Sequence, residues 1–156
     1  MTYLLKGSKM TKKPLSKLCE DAVERYFNRN KSTVCTRFAD THDTFQGRGH
    51  GVTLSAKPSD FVVTDNGTTF YAEVKSTISK IGITKKLFEQ QAARRDRLLK
   101  AGADYLYFVY SEALDCWFSL DGIDIADNPN RKWGEIFDRQ FEELNEFCVE
   151  QGLKLG

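Results

Sequence analysis

Apolar and polar positions change their spacing several times along the chain, and each change marks an element. Over residues 14 to about 30, Leu15, Leu18, Cys19, Ala22, Val23, Tyr26 and Phe27 recur at three- and four-residue intervals, which predicts an amphipathic helix with Ser16 as its cap. Residues 32–38 alternate and are rich in Val and Thr, as a first strand is. Residues 39–56 hold Gly47, Gly49 and Gly51, both His and little apolar content, so they read as a loop or an irregular hairpin. Two β-rich runs then flank Asn66-Gly67, a dipeptide suited to a tight turn whose two central residues need positive φ. After a loop over 76–82, one long helix is expected from 83 to about 101, with Leu87, Phe88, Gln91, Ala92, Leu98 and Leu99 facing inward. Residues 104–110 and 116–120 read as strands joined by a turn around 113–115. A final helix spans 132 to about 152, with Trp133, Ile136, Phe137, Phe141, Leu144, Phe147 and Cys148 apolar, and Glu142, Glu143, Glu146 and Glu150 acidic. This order predicts an α/β sandwich, a mixed sheet flanked by helices.

The hairpin register brings chemistry with it. If Asn66 and Gly67 are the turn, Asp65 faces Thr68, Thr64 faces Thr69, Val62 faces Tyr71, and Asp60 lands opposite Glu73. Paired residues share a face with Cβ atoms about 5 Å apart. Alternation puts Tyr71, Glu73 and Lys75 on that face, and Phe70, Ala72 and Val74 on the other. The second set, opposite Phe61 and Val63, implies a buried reverse side and hence a core strand. Two acids so close repel unless a cation lies between them, and carboxylate oxygens suit Mg²⁺ or Mn²⁺. Lys75, one pleat further on, could hold an anion beside that ion. Metal, anion and water together describe phosphodiester hydrolysis. The plainer alternative is a surface hairpin with solvated acids and Lys75 as their counter-charge.

The order Pro58-Ser59-Asp60, turn, Glu73-Val74-Lys75, with Glu20 in an N-terminal helix and Gln90-Gln91 after the motif, resembles the PD-(D/E)xK nuclease superfamily. Within it, the chain is most similar to RecU-type and phage-encoded Holliday junction resolvases, which share the residue inserted between Pro58 and Asp60. The resemblance spans roughly residues 15–120. It implies a restriction-endonuclease-like core and Mg²⁺-dependent cutting of branched DNA, with Mn²⁺ as a substitute ion. It implies Asp60, Glu73, the Val74 carbonyl and Glu20 as metal ligands, and Asp60, Glu73, Lys75, Glu20 and Gln91 as catalytic residues. A symmetric four-way junction further implies a homodimer with two sites. A restriction, repair or general endonuclease on the same fold is the first alternative. A non-catalytic DNA-binding protein with a vestigial site is the second.

Composition adds two things. The net charge of +1 conceals an asymmetry: through residue 100 there are 19 Lys and Arg against 10 Asp and Glu, a balance of +9, and beyond it 4 against 12, a balance of −8. A basic part that contains the acid pair suits a protein presenting one face to a polyanion. The phosphate candidates are Arg37 and Arg48, whose guanidinium forks match phosphate, and Lys85, Lys86, Arg94 and Arg95 on the helix after the motif. His42 and His50 are weaker candidates for substrate contact. Residues 1–13, with Lys6, Lys9, Lys12 and Lys13, form a basic arm ahead of a single domain over 14–156. Cys19, Cys35, Cys116 and Cys148 lack metal or redox spacing and suit reduced thiols in a cytoplasmic chain. No apolar run is long enough to predict a membrane helix. The brevity of the chain points to a phage origin, and so to a bacterial host cytosol.

Overall fold

The computed structural model describes residues 13–39 and 57–156. The basic arm up to residue 12, and the loop with His42, Arg48 and His50, lie outside them. Helix α1 (Leu15–Asn28) begins where Pro14, in extended conformation, accepts hydrogen bonds from the Lys17 and Leu18 amides through its carbonyl. Pro14 therefore holds the cap position expected of Ser16, which lies inside the helix. The predicted stripe is buried at Cys19, Ala22, Val23, Tyr26 and Phe27.

Strands β1 (Thr33–Arg37), β2 (Phe61–Asp65), β3 (Thr68–Thr77), β5 (Tyr105–Ser111) and β6 (Cys116–Asp121) form one sheet in the order β1-β2-β3-β5-β6. All neighbours are antiparallel except β3 and β5, which run parallel. Asn66 and Gly67 take φ values of 49° and 85°, as the turn requires, and the register Val62 to Tyr71 and Thr64 to Thr69 is the expected one. Strand β3 continues to Thr77, through the start of the predicted loop, because it gains a parallel partner from Tyr105 to Ser111.

The long helix expected from residue 83 is divided. Strand β4 (Gly82–Ile83) pairs with β7 (Arg131–Lys132) in a small second sheet. A Cβ on Gly82 would lie 2.0 Å from the Arg131 carbonyl oxygen, so only glycine permits this approach. A 3-10 turn (Lys85–Phe88) follows, and helix α2 (Ala92–Lys100) starts only after Gln91, whose φ of 75° cannot belong to a right-handed helix. Helix α3 (Gly122–Asp127) has no counterpart in the sequence pattern. It is capped by Asp121, which accepts from the Ile123 amide, and is too short to show a period. The final expected helix is likewise β7, a 3-10 stretch (Trp133–Arg139) and helix α4 (Glu142–Glu150).

The sheet is buried on both sides. Along β5, Phe108 and Tyr110 face a layer built by α1 and α4, with Phe27, Leu144 and Cys148. Tyr105, Tyr107 and Val109 face the opposite layer, with Phe88, Ile125, Trp133 and Ile136. The fold is α/β, a mixed five-stranded sheet flanked by helices. All four cysteines are free thiols, three of them buried. Among the described residues, no helix is long and apolar enough to cross a membrane.

Candidate active site

The site arises where β2 stops pairing and β3 goes on. The β2–β3 ladder ends at Phe61 opposite Ala72, so Glu73 to Thr77 have β5 on one side and no β2 partner on the other. Asp60 fills that gap: its Oδ2 accepts a hydrogen bond from the Val74 amide at 2.8 Å, in place of the missing strand bond. A strand residue points its N–H and C=O to the same edge, so the Val74 carbonyl shares that side. The Asp60 carbonyl in turn accepts from the Phe38 amide at 2.9 Å, which ties the turn to the end of β1. Tyr105 donates its hydroxyl to the Pro58 carbonyl at 2.9 Å, and the buried Ser59 donates to the Phe61 carbonyl at 2.6 Å. The residue inserted between Pro58 and Asp60 is thus a buried stitch that fixes how Asp60 enters the sheet.

Asp60 and Glu73 are 5 % and 3 % exposed. Burial, then the Asp60 charge, push the Glu73 carboxyl up to about 7, against the pull of Lys75. Lys75 Nζ lies 3.1 Å from Glu73 Oε2, while Glu73 Oε1 is buried with no partner. An orphaned carboxylate oxygen of this kind is costly unless something positive or hydrogen-bonding meets it. Glu20 approaches from α1. Its carboxyl is also raised, by burial first and by Asp60 second. Its Oε1 is 3.3 Å from Arg37 Nη2 and 3.7 Å from Lys17 Nζ.

These side chains line one cleft of about 300 Å³, shared by Ser16, Glu20, Lys57, Asp60, Glu73, Val74, Lys75, Ser76, Gln90 and Gln91. Gln91 closes the far side with a left-handed backbone and a buried, unpartnered Oε1. Strain at a non-glycine residue concentrates at functional positions. The donors fit a hard divalent cation: two buried carboxylates, one with an unsatisfied oxygen, and a backbone carbonyl on the same strand edge. Among the described residues, no three His, Cys, Asp or Glu side chains are grouped so as to hold a metal ion, which leaves Asp60, Glu73 and the Val74 carbonyl as the donor set. Such an ion would keep water in its shell, as Mg²⁺ does.

Two phosphate candidates are occupied internally. Arg37 is 3.3 Å from Glu20, 3.2 Å from Asp21 and 3.4 Å from Glu24, with its guanidinium over the Phe61 ring, so it clamps α1 to the sheet. Arg95 is 6 % exposed, donating to Asp96 at 2.9 Å and to the Tyr107 hydroxyl at 3.1 Å. Its neighbours Lys85 and Lys86 are exposed and Arg94 is partly so. Arg48 lies outside the described residues. Lys57 is a site residue that the sequence reading misses, although a cation three residues before an acid is a visible signal.

The architecture has a counterpart among solved structures. Hjc from Archaeoglobus fulgidus, a Holliday junction resolvase from an archaeal hyperthermophile, superposes with a TM-score of 0.50 and 15 % identity, over 82 % of this chain and 97 % of that one. The fold is restriction-endonuclease-like. At this identity the similarity concerns the fold alone. No family model matches the chain, and no curated protein gives a significant match.

Proposed function

We propose that the protein is a metal-dependent endonuclease that hydrolyses phosphodiester bonds in branched DNA, in the manner of a Holliday junction resolvase. One observation carries this reading. On the free edge of β3, the buried carboxylates of Asp60, in the bend just before β2, and of Glu73, on β3, line one cleft, one oxygen is unsatisfied, and an ammonium group stands beside them. The fold shared with Hjc supports it.

Asp60, Glu73 and the Val74 carbonyl would hold Mg²⁺, or Mn²⁺ in its place, with Glu20 reaching it through water. Bound there, such an ion would offset negative charge on the phosphate and make the attacking water more acidic. Lys75, kept at the site by Glu73, orients the attacking water and offsets charge growing on the phosphate. The Gln91 amide positions the same water or a phosphate oxygen from the opposite wall. Lys85, Lys86 and Arg94 follow the DNA backbone outward, and Arg48 is proposed to join them; Arg37 and Arg95 serve the scaffold instead. Two-fold symmetry of a four-way junction calls for a homodimer, each subunit nicking one strand.

The test is cleavage of four-way junction, fork, flap and linear duplex with Mg²⁺. The expected result is preference for the junction, lost in Asp60→Asn and Glu73→Gln proteins that still bind it. Equal cutting of linear duplex would leave a general endonuclease. Binding without cutting in Mg²⁺ or Mn²⁺ would leave a non-catalytic DNA-binding protein.

A further inference from the structure

Each oxygen of Asp60 is already engaged by the protein itself. Oδ2 takes the Val74 amide at 2.8 Å, and Oδ1 takes the Lys57 ammonium at 2.9 Å. The Lys57 and Asp60 side chains are 16 % and 6 % exposed, so this is a sheltered pair inside the cleft rather than a solvated surface contact. Glu73 differs, since Lys75 occupies one oxygen and leaves the other without a partner. The pocket is therefore half open at Glu73 and closed at Asp60.

A divalent ion that uses Asp60 Oδ1 must come within a few ångströms of the Lys57 ammonium. Two like charges that close, in a partly dehydrated cleft, repel strongly. Lysine has a flexible four-carbon stem and a compact charge, so it can leave the carboxylate without disturbing the backbone. Once released inside the same cleft, the ammonium needs an anion, and a DNA phosphate provides one.

We propose that Lys57 is a built-in counter-ion of Asp60 that yields its place to the divalent cation and moves to a DNA phosphate, so that cation loading and DNA binding reinforce each other. The inference rests on the endonuclease reading of this cleft. It makes Lys57 a second lysine of the site with a task distinct from that of Lys75. In the cation-free protein it keeps Asp60 and Glu73 side by side; after exchange it faces the substrate. Lys57 is also among the cations that draw the Glu73 and Glu20 carboxyls down against burial and the Asp60 charge, as a counter-ion to the whole cluster would. Because coupling between two ligands is reciprocal, the effect is readable from either one.

The experiment uses the full-length protein and variants Lys57→Met, which keeps the stem without the charge, and Lys57→Arg. Calorimetric titration with Mg²⁺ and with Ca²⁺ gives the cation affinity of the protein alone. Anisotropy with a labelled four-way junction, with and without Ca²⁺ and with the DNA verified as uncut, gives the coupling. Lys57→Met is expected to bind the cation alone about tenfold more tightly than wild type. In wild type the cation should tighten junction binding several-fold more than it does in Lys57→Met, where only the direct contact of cation with phosphate remains. Lys57→Arg should retain the coupling. If Lys57→Met fails to fold by circular dichroism, Lys57→Gln replaces it. Equal, measurable cation affinity in wild type and Lys57→Met, or undiminished coupling in the variant, overturns the role of Lys57 and leaves the endonuclease reading standing. Absence of cation binding in every protein, with or without DNA, overturns both.

Discussion

Replacing Glu73 with Gln should stabilise the protein at alkaline pH, and the size of the gain follows from the site. In the folded chain the Glu73 carboxyl is raised from the usual 4.5 to about 7, by burial and then by Asp60, with Lys75 opposing. A rise of that size corresponds to about 3 kcal/mol between the folded and unfolded chains, a figure that already contains the Lys75 attraction. Because the folded value lies above the unfolded one, the contribution is fully present below about pH 4.5. It is lost as pH rises through about 7. The uncharged amide of Glu73→Gln imitates the protonated acid at every pH. The variant should therefore match wild type near pH 4.5 and exceed it by about 3 kcal/mol at pH 8, or roughly 6–12 °C in melting temperature for a domain of this size. Urea unfolding of both proteins across that range is the assay. Adding Mg²⁺ at pH 8 should restore stability to wild type and leave the variant unchanged. A wild-type profile that stays flat from pH 5 to 8 relative to the variant, or a variant equally destabilised at both ends, would mean that Glu73 is not held protonated by the fold.

Four other substitutions separate scaffold from site. Arg37→Met should cost about 1–2 kcal/mol by uncoupling Glu20, Asp21 and Glu24, measured by denaturant unfolding, with no change in the salt dependence of DNA binding. Lys85→Ala and Lys86→Ala should do the reverse, leaving stability within about 0.5 kcal/mol and lowering the slope of log affinity against log salt by about 1 each. Gln91→Gly removes the side chain yet relieves a left-handed backbone at φ 75°, so it should gain about 1 kcal/mol in thermal unfolding while slowing cleavage.

The acid pair was legible because its determinants are local. Asn66-Gly67 dictates the turn, the turn dictates the register, and alternation then places Glu73 and Lys75 on one face. Helix α1 was legible for the same reason, since its apolar stripe repeats without interruption. The break at Gln91 was not, because a glutamine at positive φ carries no glycine or proline to announce it. Tertiary pairing of β4 with β7, nearly fifty residues away in sequence, overrode the helical pattern there. Arginine is usually an exposed residue, so Arg95 beneath Tyr107 and Arg37 among three α1 carboxylates read as surface charge until their partners were in place. Lys57 was hidden for a related reason: its partner Asp60 is near in sequence, but their burial together depends on the whole cleft.

In the proposed endonuclease, Asp60 and Glu73 share one divalent cation on the free edge of β3. Crystals soaked in Mn²⁺ and measured at its absorption edge test this sharing most directly. An anomalous peak is expected between the two carboxylates, within coordination distance of the Val74 carbonyl, and absent from Asp60→Asn crystals. A cleft that stays empty in crystals of a protein that cuts DNA in the same Mn²⁺ solution, or a peak bound elsewhere in the molecule, would contradict it.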